Sequence, residues 1–211
     1  MTPAFWVLVS YLTGAIPTGY LAGRITRGID IREHGSGNPG ATNTFRVLGA
    51  RIAAPVMVVD LLKGFVPAAL FVRWDGSELW TWALVYGAAA IIGHVFPVYL
   101  RFRGGKGVAT ATGVFLALAP LAVGISIVVW LAVLRISRMV SLASIMGALT
   151  LLAVLAIVET RPAVLALGIA MATFVIFAHR ANIGRILRGE EYRFGSAASS
   201  KAESVRQEEP R

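Results

Sequence analysis

The sequence lacks cysteine altogether and has little charge, since Asp, Glu, Lys and Arg make up only 15% of its 211 residues. Without cysteine the chain has no disulfide bond, no thiolate metal ligand and no thiol nucleophile. It also has only three histidines. They stand far apart, and no pair of carboxylates accompanies them in the polar segments between the apolar runs. We therefore expect neither a bound metal nor another cofactor.

What the sequence has in abundance is apolar length. Hydrophobic residues make up 56% of the chain and its mean hydropathy is +0.71, values typical of an integral membrane protein. The formal net charge of +9 comes mainly from basic residues in short loops between apolar runs. There they orient the chain and meet anionic lipid headgroups or substrates. No basic face with interleaved aromatic residues is visible, so we expect no nucleic acid as a partner.

Several apolar runs are long enough to span a membrane. The run over residues 108–134 would measure about 40 Å as one helix, too long for one untilted span and too short for two. If it breaks near Pro120, the chain has seven segments. In that arrangement 17 of the 20 Lys and Arg residues fall on the inner side, as the positive-inside rule prefers. The runs cover residues 3–23, 52–72, 79–100, 108–134, 139–158 and 162–178.

We therefore predict an all-α integral membrane protein with about seven transmembrane helices, some of them short or tilted. Its N-terminus lies outside and its C-terminus in the cytoplasm. Residues 1–194 form a single transmembrane domain, and Gly14, Pro17 and Gly19 predict a kink in its first helix. Residues 195–211 are rich in Ser, Ala, Glu and Arg without apolar periodicity. We expect them to be a disordered cytoplasmic tail.

Two of the apolar runs carry ionisable residues. Asp60 and Lys63 share one helical face and can pair. Since charges inside a membrane are costly, we expect this pair to face the protein interior. There it either ties helices together or belongs to a polar cavity. His94, in the third run, also has two interpretations. It is either a structural residue held by hydrogen bonds or a residue that takes part in the chemistry.

Three polar segments interrupt the apolar pattern, and the predicted topology places all three at the inner face. We call residues 34–46, 101–110 and 179–188 the first, second and third polar segments. The first two are rich in glycine, whose backbone N–H groups can line an anion site. Lys106 stands at the start of a predicted helix, where free N–H groups favour phosphate. Glycines and cations at one membrane depth indicate a cavity that binds phosphate groups.

In order and spacing, these segments resemble the three motifs of the bacterial membrane acyl-phosphate:glycerol-3-phosphate acyltransferases. Each motif alone would be weak, but three in sequence are highly specific. No histidine is followed by aspartate five residues later, as the acyl-CoA-dependent glycerophosphate acyltransferases would require. The resemblance covers about residues 5–194. Its matching stretches are Ser36-Gly-Asn-Pro-Gly-Ala-Thr-Asn43, Gly104-Gly-Lys-Gly-Val-Ala-Thr110 and His179-Arg-Ala-Asn-Ile-Gly-Arg185, with Asp60-Leu-Leu-Lys-Gly64, Gly93-His-Val-Phe-Pro97 and Val140-Ser-Leu-Ala-Ser144 as further similarities.

The resemblance implies a multi-pass enzyme of the bacterial inner membrane with its active site at the cytoplasmic face. Such an enzyme transfers a fatty acyl group from acyl phosphate to the 1-hydroxyl of sn-glycerol 3-phosphate. The products are lysophosphatidic acid and inorganic phosphate, in the first step of phospholipid synthesis. Its partners are the two substrates and membrane lipids. The oligomeric state stays open, and a monomer is compatible with the sequence.

An acyl phosphate already carries a good leaving group, so the site must hold two phosphates close together and stabilise the developing oxyanion. We assign Lys106 and the amides of the second segment to the acyl phosphate. We assign Arg46, Ser36 and Asn43 of the first segment to the glycerophosphate or to a shared phosphate. We expect His179 and Asn182 to orient the attacking hydroxyl or the transition state, and the base is either His179 or a substrate phosphate. The candidate catalytic residues are Ser36, Arg46, Lys106, His179 and Asn182, and the candidate substrate-binding residues are Gly37, Asn38, Thr42, Asn43, Gly104, Gly105, Gly107, Thr110, Ser144 and Arg185.

A protein of another class, a small carrier or channel for organic phosphates, would also need a basic, glycine-rich cavity. A carrier would continue its polar residues toward the outer face, and it would often repeat half of its fold. The outer half of this chain is almost free of polar residues and the sequence shows no internal repeat. These features favour the enzyme.

Overall fold

A computed structural model describes residues 2–77 and 79–194 as a bundle of helices of unequal length. The expected disordered tail, residues 195–211, lies outside the described residues. The fourth helix is prolonged to Trp74 by a π-helical turn, Pro67–Phe71, and a last short turn. In chain order the helices are α1 Pro3–Ala15, α2 Thr18–Arg27, α3 Ala41–Leu48, α4 Ala50–Val66, α5 Thr81–Val95, α6 Val108–Leu118, α7 Pro120–Ser137, α8 Val140–Val158, α9 Pro162–Ala178 and α10 Arg180–Leu187.

Each apolar run of the sequence is helical, which confirms the all-α prediction, and the predicted break near Pro120 separates α6 from α7. Among the described residues, four helical stretches are long and apolar enough to cross a membrane. The number rises to six if each of the two bent pairs, α1 with α2 and α9 with α10, is one span. α6 is apolar but short, since its 11 residues give about 16 Å of helix. The four stretches are Ala50–Trp74, Thr81–Leu100, Pro120–Ser137 and Val140–Val158.

The predicted kink in the first run is confirmed as a bend of 42° between α1 and α2. Pro17 follows α1 and cannot donate a backbone hydrogen bond, so the helix ends before it. Lys63 donates from Nζ to the carbonyl oxygen of Ile16 at 2.8 Å, and Thr18 donates from its hydroxyl to Asp60 Oδ1. The buried Asp60–Lys63 pair, 2.9 Å apart, therefore ties α4 to the bend, as one of its two interpretations predicted, and Asp60 also lines a cavity, as the other predicted.

α4 and α6 pack closely because each presents a glycine to the backbone of the other. A Cβ atom at Gly64 of α4 would overlap the carbonyl oxygen of Thr110 in α6, and one at Gly113 of α6 would overlap that of Leu61. Such close backbone approach is what small residues permit between membrane helices. The contact fixes the position of α6, whose first residues follow directly on the second polar segment.

Candidate active site

A cavity of about 1880 Å³ lies between the polar segments and the apolar helices. At one end it is polar, and toward the other it is lined by apolar side chains of α4, α7 and α8, among them Met57, Ile127 and Leu151. Two serines of α8 also line it, and Ser144 accepts a hydrogen bond from Trp130 Nε1 at 3.4 Å. The predicted site residues that line the cavity are Ser36, Gly37, Asn38, Thr42, Asn43, Arg46, Lys106, Gly107, Ser144, His179, Asn182 and Arg185.

At the polar end the side chains converge on a carboxylate, Glu191, which is only 5% exposed. Its Oε1 accepts hydrogen bonds from Ser141 Oγ at 2.9 Å and from Asn182 Nδ2 at 2.7 Å. Its Oε2 accepts from Arg185 Nε at 2.7 Å, and Arg46 Nη2 lies 3.8 Å from Oε1. Burial by itself raises the pKa of Glu191, but the hydrogen bonds hold it below its usual value, so the carboxylate stays charged.

Glu191 is the site residue that sequence reasoning missed. It follows the third polar segment as one of two adjacent glutamates, and nothing in their order distinguishes Glu191 from Glu190. Only the fold separates them, because Glu190 is exposed and pairs with Arg188 while Glu191 is buried and accepts a hydrogen bond from Ser141 of α8. A carboxylate beside a run of cations was the available signal, but it did not identify the partner in α8, 50 residues away in the chain.

Three cations surround this carboxylate and give the polar end a positive balance. Lys106 donates from Nζ to Asn182 Oδ1 at 2.5 Å. Burial is the main cause that lowers the pKa of Lys106 to about 8, and the nearby guanidinium groups of Arg185 and Arg46 lower it further. Burial also lowers the pKa of Arg46. Its Nε is buried and donates to none of the described residues. A buried donor without an acceptor beside two other cations is suited to an anion.

His179 lies at the break between α9 and α10, where the chain bends by 55°. Its Nδ1 is 2.8 Å from the carbonyl oxygen of Val175. Because a carbonyl can only accept, Nδ1 must donate, and in a neutral imidazole this leaves the lone pair of Nε2 free to accept a proton. His179 is 4% exposed and lines the cavity, and Asn182 follows on the next turn. The pair can therefore hold a hydroxyl group and take its proton.

In the first polar segment, Asn43 is a support for the loop. Its Nδ2 donates to the carbonyl oxygens of Ile31 at 3.1 Å and His34 at 3.0 Å. Its Oδ1 accepts from the backbone N–H of Ser36 at 2.8 Å. These bonds use both amide hydrogens and shape the turn whose Ser36 side chain is exposed at the cavity. The contact between Asn43 and substrate stays a prediction. Such a contact would have to compete with the bonds that both amide hydrogens make to the loop.

In the second polar segment, Gly104, Gly105 and Thr110 lie outside the cavity lining, and their contacts with substrate stay predictions. The N–H of Gly104 donates to the carbonyl oxygen of Val95 at 3.1 Å, and that of Gly105 to the carbonyl oxygen of His94 at 3.2 Å. These bonds engage both amides at the end of α5. Thr110 is fully buried beside α4, outside the cavity lining.

What the second segment does present to the cavity is Lys106, Gly107 and the start of α6. The first i→i−4 hydrogen bond of α6 runs from the N–H of Ala111 to the carbonyl oxygen of Gly107. As at any helix start, the N–H groups of the first turn have no acceptor within the helix. With the ammonium of Lys106 beside them, they form a second place where an anion is favoured.

Comparison with known proteins shows similarity over nearly the whole chain. A family model described as glycerol-3-phosphate acyltransferase matches residues 4–189. The glycerol-3-phosphate acyltransferase of Synechococcus elongatus is 45% identical over 200 residues, which cover 92% of this chain and 95% of that protein. The protein of the same name from Geobacillus kaustophilus is 46% identical over 189 residues, covering 89% of this chain and 94% of its own.

The fold is similar to that of a solved membrane protein. Two crystal structures of PlsY (YgiH), described as an integral membrane glycerol 3-phosphate acyltransferase, match at 40% sequence identity. The glycerol 3-phosphate form gives a TM-score of 0.85 and covers 92% of this chain and 96% of that one. The lysophosphatidic acid form gives a TM-score of 0.82, with 92% and 95% covered.

Proposed function

Since this chain belongs to the glycerol-3-phosphate acyltransferase family, we propose a specific acyl donor, a division of labour among the site residues and a membrane topology for it. The protein is an integral membrane acyltransferase of phospholipid synthesis that converts glycerol 3-phosphate to lysophosphatidic acid. The proposed donor is a long-chain acyl phosphate, and glycerol 3-phosphate and lysophosphatidic acid occupy the cavity as substrate and product.

In the proposed reaction the 1-hydroxyl oxygen of glycerol 3-phosphate attacks the carbonyl carbon of the acyl phosphate. A new ester C–O bond forms, the bond from the carbonyl carbon to the phosphate oxygen breaks, and inorganic phosphate leaves. The hydroxyl proton passes either to His179 Nε2 or to a substrate phosphate. Because phosphate is a good leaving group, the enzyme needs to position the reactants and stabilise the oxyanion, and no covalent enzyme intermediate is required.

The observation that carries this proposal is the buried Nε of Arg46, which has no acceptor among the described residues and lies at the polar end of a cavity whose other end is apolar. A phosphate-bearing molecule with a fatty chain matches both ends. Lys106 and the start of α6 hold the phosphate of the donor, and Arg46, Arg185 and Ser36 hold glycerol 3-phosphate. Asn182 bonds to Lys106 and to Glu191 and orients the attacking hydroxyl with its neighbours.

An assay with two donors tests the proposed acyl phosphate. Purified protein in detergent or lipid receives labelled glycerol 3-phosphate with either palmitoyl phosphate or palmitoyl-CoA and no added metal. We expect lysophosphatidic acid and inorganic phosphate in equal amounts from palmitoyl phosphate, and no product from palmitoyl-CoA. Comparable rates with palmitoyl-CoA would contradict the proposed donor.

The proposed topology has seven membrane segments, with the N-terminus outside, the C-terminus in the cytoplasm and the active site at the cytoplasmic face. It is supported by the 17 of 20 Lys and Arg residues that this arrangement places inside. The chain has no cysteine, so single cysteines can be introduced without a background. Thr26→Cys and Thr160→Cys place one at an exposed position on each predicted side. We expect a membrane-impermeant maleimide to label intact cells at position 160 only. Labelling of intact cells at position 26 only would indicate the opposite orientation in the membrane.

A further inference from the structure

His94 is a buried histidine that the proposed reaction does not use. It lies at the end of α5, is 8% exposed and lines the cavity together with Asp60, and its Nδ1 makes no hydrogen bond with any of the described residues. Asp60 Oδ1 lies 3.8 Å from Nδ1, beyond hydrogen-bond distance. An imidazole kept inside the protein with so few polar contacts needs an explanation other than a hydrogen-bond network.

The explanation lies on the other side of the ring, where the second polar segment passes. A Cβ atom on Gly105 would overlap Nε2 of the His94 ring, and one on Gly104 would overlap the His94 carbonyl oxygen. The backbone of both glycines therefore runs in direct contact with His94. The same two residues donate their N–H groups to the last carbonyl oxygens of α5, at Val95 and His94. His94 thus contacts the segment through both its side chain and its main chain.

A buried polar cluster lies beside the ring, on its Nδ1 side, without a hydrogen bond to it. Asp60, 2% exposed, accepts from the Thr18 hydroxyl and pairs with Lys63 at 2.9 Å. Lys63 also donates to the carbonyl oxygen of Ile16, so the cluster joins the bend between α1 and α2 to α4. Since charged partners inside a membrane protein resist separation, Asp60 gives the His94 ring a fixed neighbour.

The residue after Gly105 is Lys106, which lines the cavity with Gly107. Because a shift of about 1 Å in a positioning group can cost on the order of 10²-fold in rate, the path of the two preceding glycines matters for Lys106. We propose that His94 is a positioning residue. Its ring and carbonyl, backed by Asp60, hold Gly104 and Gly105 in the path that aims Lys106 at a substrate phosphate. This inference rests on the proposed phosphate-binding role of Lys106.

The test is a double-mutant cycle between the ring and the glycine that faces it, with His94→Ala, Gly105→Ala and both together. We expect Gly105→Ala to raise the KM of the phosphate substrate held at Lys106 by about 10- to 100-fold, with a smaller change in kcat. His94→Ala alone should raise the same KM by about fivefold through the looser path. In the double variant the added methyl group fits the space left by the ring, so its KM should lie below that of Gly105→Ala.

Gly124→Ala is the matched control, because a Cβ atom there meets no atom of the described residues within 4 Å. It should retain both KM values. Two outcomes would overturn the inference. One is a double variant whose KM is the product of the two single effects, and the other is a folded His94→Ala protein with both KM values within about twofold of wild type. If Gly105→Ala does not fold, the yield of folded protein in the double variant is the readout. Recovery of that yield supports the contact, and no recovery contradicts it.

The cycle also separates this inference from the proposed donor. The thermal midpoints of the wild type and the three variants need no acyl donor. An inactive wild type with palmitoyl phosphate would contradict the donor, while the contact of His94 with Gly105 would still be measured as coupling between the midpoints. A KM effect on acyl phosphate alone assigns Lys106 to the donor, and an effect on glycerol 3-phosphate assigns it to the acceptor. Either one supports the positioning role.

Discussion

The first and second polar segments are both rich in glycine and both reach the cavity, yet their backbones are used in opposite ways. In the first segment a side chain, Asn43, bonds to the loop from inside, and Ser36 is left exposed at the cavity. In the second segment the N–H groups of Gly104 and Gly105 bond to the end of α5, and the following Lys106 enters the cavity.

The difference teaches that a high density of glycine does not by itself identify a backbone anion site. Glycine permits an unusual turn, and it also permits the main chain to approach another group closely. Gly35, with φ of +62°, serves both purposes, because a Cβ atom there would also overlap Asn43 Oδ1. Gly105 serves the second, because it faces the ring of His94. The two roles predict different effects of substitution.

The largest effect is expected from the side chain that the second segment presents to the cavity. Lys106→Ala removes the ammonium group and its bond to Asn182, so a substrate phosphate loses a charged partner. We expect kcat/KM to fall about 10³-fold, the upper range for the loss of one donor from a transition-state site. Steady-state kinetics with palmitoyl phosphate measure it.

Arg103→Ala is the matched control for Lys106→Ala, since Arg103 is an exposed cation of the same segment outside the cavity lining. It should retain activity within about twofold, as surface substitutions generally do. A near-normal rate for a folded Lys106→Ala protein would contradict the phosphate assignment and leave the second segment without a chemical role.

The next effect tests whether the first segment depends on its internal support. Asn43→Ala removes three hydrogen bonds that hold the loop and leaves the N–H of Ser36 without this acceptor. The carbonyl oxygens of Ile31 and His34 each keep one backbone donor. We expect a loss of about 3 kcal/mol of stability and about 10²-fold in kcat/KM as the loop loses its shape. Ser36→Ala keeps the backbone N–H that bonds to Asn43. It should lower activity at unchanged stability in a thermal-unfolding assay. Equal stability of the two variants would show that Asn43 does not hold the loop.

Much of the fold could be predicted because membrane segments are encoded locally. Apolar length, the break near Pro120 and the i, i+3 spacing of Asp60 and Lys63 each required only neighbouring residues, and the structure contains all three features. The convergence of the three polar segments on one cavity followed from placing them on one membrane face.

The rest of the site depends on contacts between distant parts of the chain. Nothing in the sequence shows that α5 ends where the N–H groups of Gly104 and Gly105 need acceptors, so those amides were expected to face the substrate. Thr110 is the last residue of the same motif, but it lies in the first turn of α6, on the side that packs against α4. Glu191 meets Ser141 only through the packing of the chain end against α8.

A smaller effect distinguishes the two segments through the pH dependence of KM. Lys106, whose pKa is lowered to about 8 by burial, is charged below that value and neutral above it. If only the charged form binds phosphate, KM should rise about tenfold between pH 7 and pH 9. The first segment presents Ser36 and Thr42, which do not titrate in this range, and Arg46, whose guanidinium stays charged throughout it. Lys106→Arg keeps its charge, so its residual activity should lack this alkaline limb. A wild-type KM that stays constant to pH 9.5 would show that the charge of Lys106 does not contribute to binding.

The smallest effect concerns Asn38, which both supports the first segment and lines the cavity. Its Oδ1 accepts the N–H of Gly40 at 2.9 Å, which closes a local turn, and the residue lines the cavity. If the turn is its main role, Asn38→Ala should cost about 1 kcal/mol of stability and change KM by about threefold. Asn38→Asp keeps the acceptor and should retain the thermal midpoint. A loss of about 10²-fold in Asn38→Ala at unchanged stability would instead place Asn38 against the substrate. The first segment would then act through direct contact, as the second does through Lys106.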